Sequence, residues 1–426
     1  MLTRILILMS ETGGGHRSAA EAIAEAVEHL QPGQAQVELL DFIAACAPFP
    51  LNRVARLYRP AVNYAAPLWG WLWYASDDPR RMALSLKALV PLAKGKLMAF
   101  LHQRKPKVIV SVHPLANHLA VRAVRELGQP IPVITVVTDL VSAHSSWFCP
   151  DVDLCIVPSQ EARERALRAG LPSEKIEVVG LPVGRRFREM RGEKGDLREA
   201  LGLRRDLSTV LLVGGGEGMG RVYDMARAVA GAGLPLQLVV VAGRNEGLRH
   251  RLEATRWEVP TRVYGFVTHM PELMAAADLI VTKAGPGTIS EALVMGLPIL
   301  ISDFVPGQEE GNVRYVVEGG AGLLADTPQK LAAALGELLA AGSEALARMA
   351  ANARRLARPE AALEIARLIL ADRDLVQAIK EERSASEEER GGHGRRYAKN
   401  SISHRKGPRP RQGRSTVSRT GGERVT

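Results

Sequence analysis

Leu279-Ile280-Val281-Thr282-Lys283-Ala284-Gly285-Pro286-Gly287-Thr288-Ile289-Ser290-Glu291-Ala292 opens on a short apolar, β-branched run, passes a Gly-Pro-Gly turn and continues with helix-forming residues. Proline is tolerated in the first turn of a helix, so the turn marks where a helix begins. A strand that feeds directly into a helix is the repeating unit of a parallel sheet covered by helices on both faces. The same alternation runs outward in both directions. On the N-terminal side, strands are predicted near Arg4–Met9, Gln36–Phe42, Lys107–Val112, Pro132–Val137, Leu154–Val157 and Ile176–Val179. Around the opening stretch they fall near Thr209–Val213, Gln237–Ala242, Thr261–Tyr264, Leu279–Thr282, Ile299–Ser302 and Gly322–Leu324. The fold class is therefore α/β, with two Rossmann-like, doubly wound domains.

The domain plan is residues 1–180, a connector over 181–207 with little apolar periodicity, and a second domain over 208–390 that includes helices rich in Ala, Leu and Arg. Residues 391–426 carry ten Lys and Arg against one Glu and are expected to be disordered, because they bring too little apolar surface to offset chain entropy. Most of the formal net charge of +10 belongs to that tail, and the folded part is nearly neutral. With 46% apolar and 24% charged residues, fibrous, coiled-coil and wholly disordered classes are excluded. Cys46, Cys149 and Cys155 have no metal-type spacing and form no even-numbered framework, which fits a reducing compartment. The run Ile5 to Met9 is too short for a signal-peptide core, so the chain is expected in the cytoplasm. The uncharged stretch Pro60 to Ser76 is interrupted by Pro and Asn and falls short of the roughly 20 apolar residues a spanning helix needs.

Three turns have the composition of anion sites. Gly13-Gly14-Gly15-His16 follows the first strand and opens the first helix, where free backbone N–H groups favour negative charge. It is not the dinucleotide G-x-G-x-x-G, and Asp41 is a weak match for the acidic residue that motif requires, so a nicotinamide enzyme is disfavoured. Gly214 to Gly220 also joins a strand to a helix but lacks the Lys-Ser/Thr ending of a P-loop. In the opening stretch, Gly287 and Thr288 sit where phosphate oxygens bind, and Glu291 lies one turn on, where a carboxylate accepts two ribose hydroxyls. Phosphate and ribose together spell a nucleotide. The same spacing also reads as a capping box, Thr288 as N-cap and Glu291 as its partner, and spacing alone does not separate the two. Pro306-Gly307-Gln308-Glu309-Glu310-Gly311-Asn312 follows the next strand, with polar side chains suited to a sugar or to a solvated loop.

Taken together, Ser10 to Arg17, Gly265-Phe266-Val267, Lys283 to Ala292 and Pro306 to Asn312 resemble the monogalactosyldiacylglycerol synthases and related bacterial diacylglycerol glycosyltransferases, a family similar to the peptidoglycan N-acetylglucosamine transferase. The resemblance covers roughly Leu2 to Ala340. It implies a GT-B fold, the two domains facing across a cleft, and an inverting hexosyltransferase that moves galactose, or glucose, from a UDP-sugar to diacylglycerol. No cofactor and no essential metal are implied. By motif, the backbone at Phe266 and Val267 would read uracil and Glu291 would hold the ribose. Gly287 and Thr288, with Gly215, Gly216 and Gly218, would cradle the diphosphate. Gln308, Glu309 and Asn312 would lie at the sugar. Glu11 stands where many relatives have Asp.

An inverting transfer needs a base for the acceptor hydroxyl. His16 is the candidate, kept neutral by the helix N-terminus, with Asp139 as second catalytic residue and Gly14, Gly15, His113 and His144 lining the same acceptor side. Tyr58, Tyr64, Trp69, Trp71, Trp73 and Tyr74, flanked by Arg53, Arg56, Arg59, Arg80 and Arg81, have the composition of a segment in a bilayer interface; a core helix pair is the alternative. The expected partners are a UDP-hexose, diacylglycerol and anionic lipids, at the cytoplasmic face of the cell membrane. Transfer to a polyprenyl-linked muropeptide is the second reading. Nucleic-acid binding, prompted by a pI near 9.7, is a weak third because the folded part is almost neutral.

Overall fold

The computed structural model describes residues 2–11, 14–53, 66–340 and 343–371. Six strands, β1 (Thr3–Met9), β2 (Ala35–Asp41), β3 (Val108–Ser111), β4 (Val133–Val136), β5 (Leu154–Val157) and β6 (Ile176–Val178), form a sheet of order β2-β1-β3-β4-β5-β6. Six more, β7 (Ser208–Val213), β8 (Leu236–Val241), β9 (Thr261–Tyr264), β10 (Leu279–Lys283), β11 (Ile299–Asp303) and β12 (Gly322–Leu324), form a second sheet of order β12-β11-β10-β7-β8-β9. Every neighbouring pair is parallel. All the strands read from the sequence form, with ends shifted by at most one residue.

Side chains alternate across a strand, and here both sides are apolar. In β1, Leu6 and Leu8 enter one core while Ile5, Ile7 and Met9 enter another. In β7, Leu211 and Val213 face one core and Val210 and Leu212 the other. Each sheet reverses its winding once, between β1 and β3 in the first and between β7 and β10 in the second. At such a reversal the connections leave to opposite faces and open a crevice beyond the carboxyl ends of the strands.

Two expectations about domain limits need correction. The C-terminal helices do not all belong to the second domain: helix Ala361–Leu370 lays Ala361, Ala362, Ile365, Ala366 and Ile369 into the core beneath β1 and β3, which Ala22, Ile23, Ala26 and Val27 of helix Gly15–Leu30 share. Alanines on both helices, Ala22 and Ala26 on one and Ala362 and Ala366 on the other, let the two pack in contact. The stretch 181–207 is also not a bare connector. It carries helices Arg185–Glu189 and Lys194–Ala200, and buried Arg198 ties the latter to the second half through the Ala276 carbonyl at 3.0 Å and Asp278 at 2.6 Å. The basic tail lies outside the described residues.

Candidate active site

At the edge of the first sheet, the chain leaves β1 and starts helix Gly15–Leu30 from Gly14, whose φ of 78° places it in the left-handed region that glycine tolerates. Thr12 and Gly13 lie outside the described residues. His16, in the first turn, holds Nδ1 3.0 Å from Thr138 Oγ1, with its ring 4.8 Å from His113 and 6.0 Å from Trp147. Burial among these rings lowers its pKa to about 4, opposed only in part by the Val112 carbonyl. His113 accepts from Leu115 N–H at 3.2 Å, capping helix Pro114–Leu127, and burial together with His16 holds it well below the usual histidine range. Asp139, beyond β4, accepts from Trp147 Nε1 at 2.6 Å. Burial raises its carboxyl to about 6, against bonds from Trp147 and Gln308 that favour the ionised form. His144 sits apart from this group. Its Nδ1 accepts from Ser146 N–H at 3.1 Å and its Nε2 is 3.2 Å from Ser76 Oγ, so both ring nitrogens serve the fold. Glu11 pairs with Arg17, which lowers its pKa.

At the edge of the second sheet, three turns and the end of β9 converge. Gly214 to Gly220 closes on itself through Met219 N–H to Gly214 carbonyl at 2.8 Å, and a side chain on Gly218 would strike the Ala242 carbonyl oxygen. Helix Pro286–Met295 begins one residue after Gly285, its N-cap. This settles the capping question left open by spacing: Thr288 is inside the first turn, not the cap, so the amides of Gly287 and Thr288 are among those a helix leaves without an internal partner. Glu291 lies on the next turn, half-buried. Burial is the sole cause that lifts its carboxyl to about 8. Phe266 is 54% exposed, with the Arg244 guanidinium 4.1 Å above its ring, and Val267 packs on the core beneath. Glu309 and Asn312, by contrast, are committed inward. Glu309 pairs with Lys283 and accepts from Val305 N–H at 3.0 Å, and Asn312 donates to the Ala284 carbonyl at 2.9 Å with its Oδ1 buried and unpaired.

The two halves meet at this crevice. Gln308 hydrogen-bonds Asp139, and Gly311 N–H donates to Ser142 Oγ at 3.0 Å. The aromatic segment is split by the fold. On helix Ala66–Ser76, Trp71 is 66% exposed alongside Leu68 and Leu72, whereas Trp73 turns inward, its ring 4.7 Å from His144. Trp69 lies on the same helix; Tyr58, Tyr64, Arg56 and Arg59 lie outside the described residues. Among the described residues no helix is long and apolar enough to cross a membrane, and no group of three or more His, Cys, Asp or Glu is placed to hold a metal ion.

Sequence reading quoted Lys283 within the opening stretch without giving it a role, and passed over Arg244 and Thr138. Lys283 ends β10 between the two glycine turns, its Cε 3.7 Å and its Nζ 3.4 Å from where side chains on Gly215 and Gly285 would begin. Its place two residues before the Gly-Pro-Gly turn was the available signal. Thr138 had no such mark, since only packing brings it to His16.

Residues 16–183 match the model of a family described as monogalactosyldiacylglycerol (MGDG) synthase, and residues 209–389 match the glycosyltransferase family 28 C-terminal domain. The chain is 41% identical over 371 residues to a probable monogalactosyldiacylglycerol synthase, chloroplastic, of Nicotiana tabacum, covering 85% of this chain and 69% of that protein. It is also 41% identical over 370 residues to monogalactosyldiacylglycerol synthase 2, chloroplastic, of Arabidopsis thaliana, covering 85% and 79%. Among solved structures, MurG of Acinetobacter baumannii superposes with a TM-score of 0.56 at 18% identity, covering 87% of this chain and 100% of that one. HepE of Anabaena in complex with UDP-glucose gives 0.51 at 17% identity, covering 90% and 99%. These two share the GT-B fold with this chain.

Proposed function

The chain belongs to the monogalactosyldiacylglycerol synthase family, and from that premise we propose how its two sheet edges carry out hexosyl transfer from a UDP-sugar to diacylglycerol, with galactose as the sugar. The enzyme makes a galactolipid. A muropeptide acceptor is not favoured, because 41% identity to the galactolipid enzymes stands against 18% to MurG, where only the fold is shared.

The observation that carries the assignment of roles is the contact between helix Gly15–Leu30, whose first turn bears His16, and helix Pro286–Met295, whose first turn leaves the amides of Gly287 and Thr288 free beside Lys283. The donor diphosphate lies on the second, where aligned peptide dipoles and the lysine offset its charge. Uracil sits at the backbone of Phe266 and Val267 under Arg244, and Glu291 takes the ribose diol. His16 removes the proton from the acceptor hydroxyl as its oxygen attacks the anomeric carbon from the face opposite UDP. The bond from that carbon to the diphosphate oxygen breaks, UDP leaves with the electron pair, and the configuration inverts. Gln308, held by Asp139, is the group placed to meet the transferred sugar.

The enzyme works peripherally, at the cytoplasmic face of the cell membrane. Exposed Leu68, Trp71 and Leu72 enter the interface, and the cationic tail adds attraction to anionic lipids, up to about 1 kcal/mol for each Lys or Arg near the surface. Incubation with diacylglycerol vesicles and UDP-galactose or UDP-glucose, followed by lipid analysis, tests the reading. The expected product is a β-galactosyl lipid. Glucosyl lipid alone would reassign the donor, and no glycolipid with either nucleotide would overturn the function.

A further inference from the structure

The aromatic helix does more than present rings to a bilayer, because its inner side is pressed against the loop that carries Gln308. A Cβ at Gly70 would begin 3.0 Å from Pro306 Cβ, tighter than ordinary van der Waals contact, so any larger residue there must push the helix or the loop aside. Gly307, at φ 79°, is packed so tightly under the neighbouring indole that a Cβ there would lie 2.6 Å from Trp73 Cδ1. One residue on, Tyr74 Oη donates to Glu310 Oε2 at 2.6 Å. The helix is fixed to the first half through Trp73 and His144, and to the second through Pro306, Gly307 and Glu310. Between these contacts lies Gln308 with its bond to Asp139.

We propose that helix Ala66–Ser76 is a working wall of the donor-sugar site, with Trp73 and Tyr74 as positioning residues that hold the loop 306–310 and so aim Gln308 at the transferred hexose. This rests on the donor-site reading above. Gln308 is a long, rotamer-rich side chain following a glycine in the left-handed region, and such a group discriminates between hydroxyl orientations only if its backbone is held. Because the outer side of the same helix exposes Leu68, Trp71 and Leu72, engagement of an acceptor lipid and grip on the donor sugar are coupled, and the coupling is reciprocal.

The test uses the full-length protein, with UDP as a probe that lacks the hexose. Gly70→Leu keeps a good helix former but wedges the helix off Pro306; Tyr74→Phe removes only the hydroxyl bond. Gly70→Leu should raise KM for UDP-galactose about tenfold and narrow the preference over UDP-glucose, and Tyr74→Phe should do the same by about two- to fivefold, as expected for one or more lost polar or packing contacts. The Kd for UDP and binding to neutral vesicles should stay at wild-type values. Unchanged KM and sugar preference in both variants would overturn the proposal, as would a parallel loss of UDP affinity, which would mark general damage to the second half. If Gly70→Leu fails to fold, Tyr74→Phe and Glu310→Gln carry the same test. Failure of the wild-type protein to bind UDP would instead overturn the donor-site reading itself.

Discussion

The pH dependence of kcat at saturating UDP-galactose separates the two groups that could take the acceptor proton. A base works unprotonated, so the rate falls as pH falls through its pKa. Burial sets His16 at about 4 and Asp139 at about 6, opposite to the usual order of the two residue types. At pH 5 a base of pKa about 4 is still roughly nine-tenths unprotonated, whereas one of pKa about 6 is only about one-tenth so. With His16 as base, kcat on diacylglycerol vesicles at saturating UDP-galactose, where the weaker donor binding expected from Glu291 no longer counts, should stay nearly flat from pH 8 to 5 and fall below. His16→Ala should lower kcat by about 10²- to 10⁴-fold, the usual worth of a general base, with the Kd for UDP unchanged. Circular dichroism at each pH guards against simple unfolding. A roughly tenfold loss at pH 5, abolished in Asp139→Asn, would transfer the role to Asp139. A limb near 6.5, where free histidine titrates, would refute the claim that packing against His113 and Trp147 holds His16 neutral.

Three further outcomes follow from the same geometry. Glu291 must ionise to accept two ribose hydroxyls, and its raised pKa of about 8 means that UDP affinity should fall as pH drops from 8 to 6; Glu291→Gln should bind more weakly and lose that dependence, read by isothermal titration. Lys283→Met should weaken UDP by about 10- to 100-fold, as for a charge-assisted bond, and leave uridine binding unchanged; equal losses for both would place the lysine away from the diphosphate. Ile365→Ala, beneath the first sheet, should cost about 2–5 kcal/mol in urea unfolding, and a near-zero cost would show that the last helix does not stabilise the N-terminal half.

Much of this protein is written locally. Strand and helix alternate because β-branched runs are punctuated by glycine and proline, and each strand needs only its own side chains to declare that both its faces are buried, as Ile5 to Met9 and Val210 to Val213 do. The glycine turns were legible for the same reason, since a strand that passes straight into a helix fixes where free amides must lie. What depended on partners far along the chain was not. Spacing left Thr288 readable as the N-cap of a capping box until the helix was seen to start from Gly285. The Ala and Ile stripe of Ala361–Leu370 fits any apolar surface, and only packing sends it back to the first sheet. Trp71 and Trp73 are the same residue type two positions apart, yet one faces outward and the other meets Gly307, because a helix turns about 100° per residue and only the neighbour decides which side is covered. Lys283 finding Glu309, and Gln308 finding Asp139, join residues that no periodicity links; the first pair exists because β10 and β11 lie side by side in one sheet, the second because two separately legible sheets bring their carboxyl edges together.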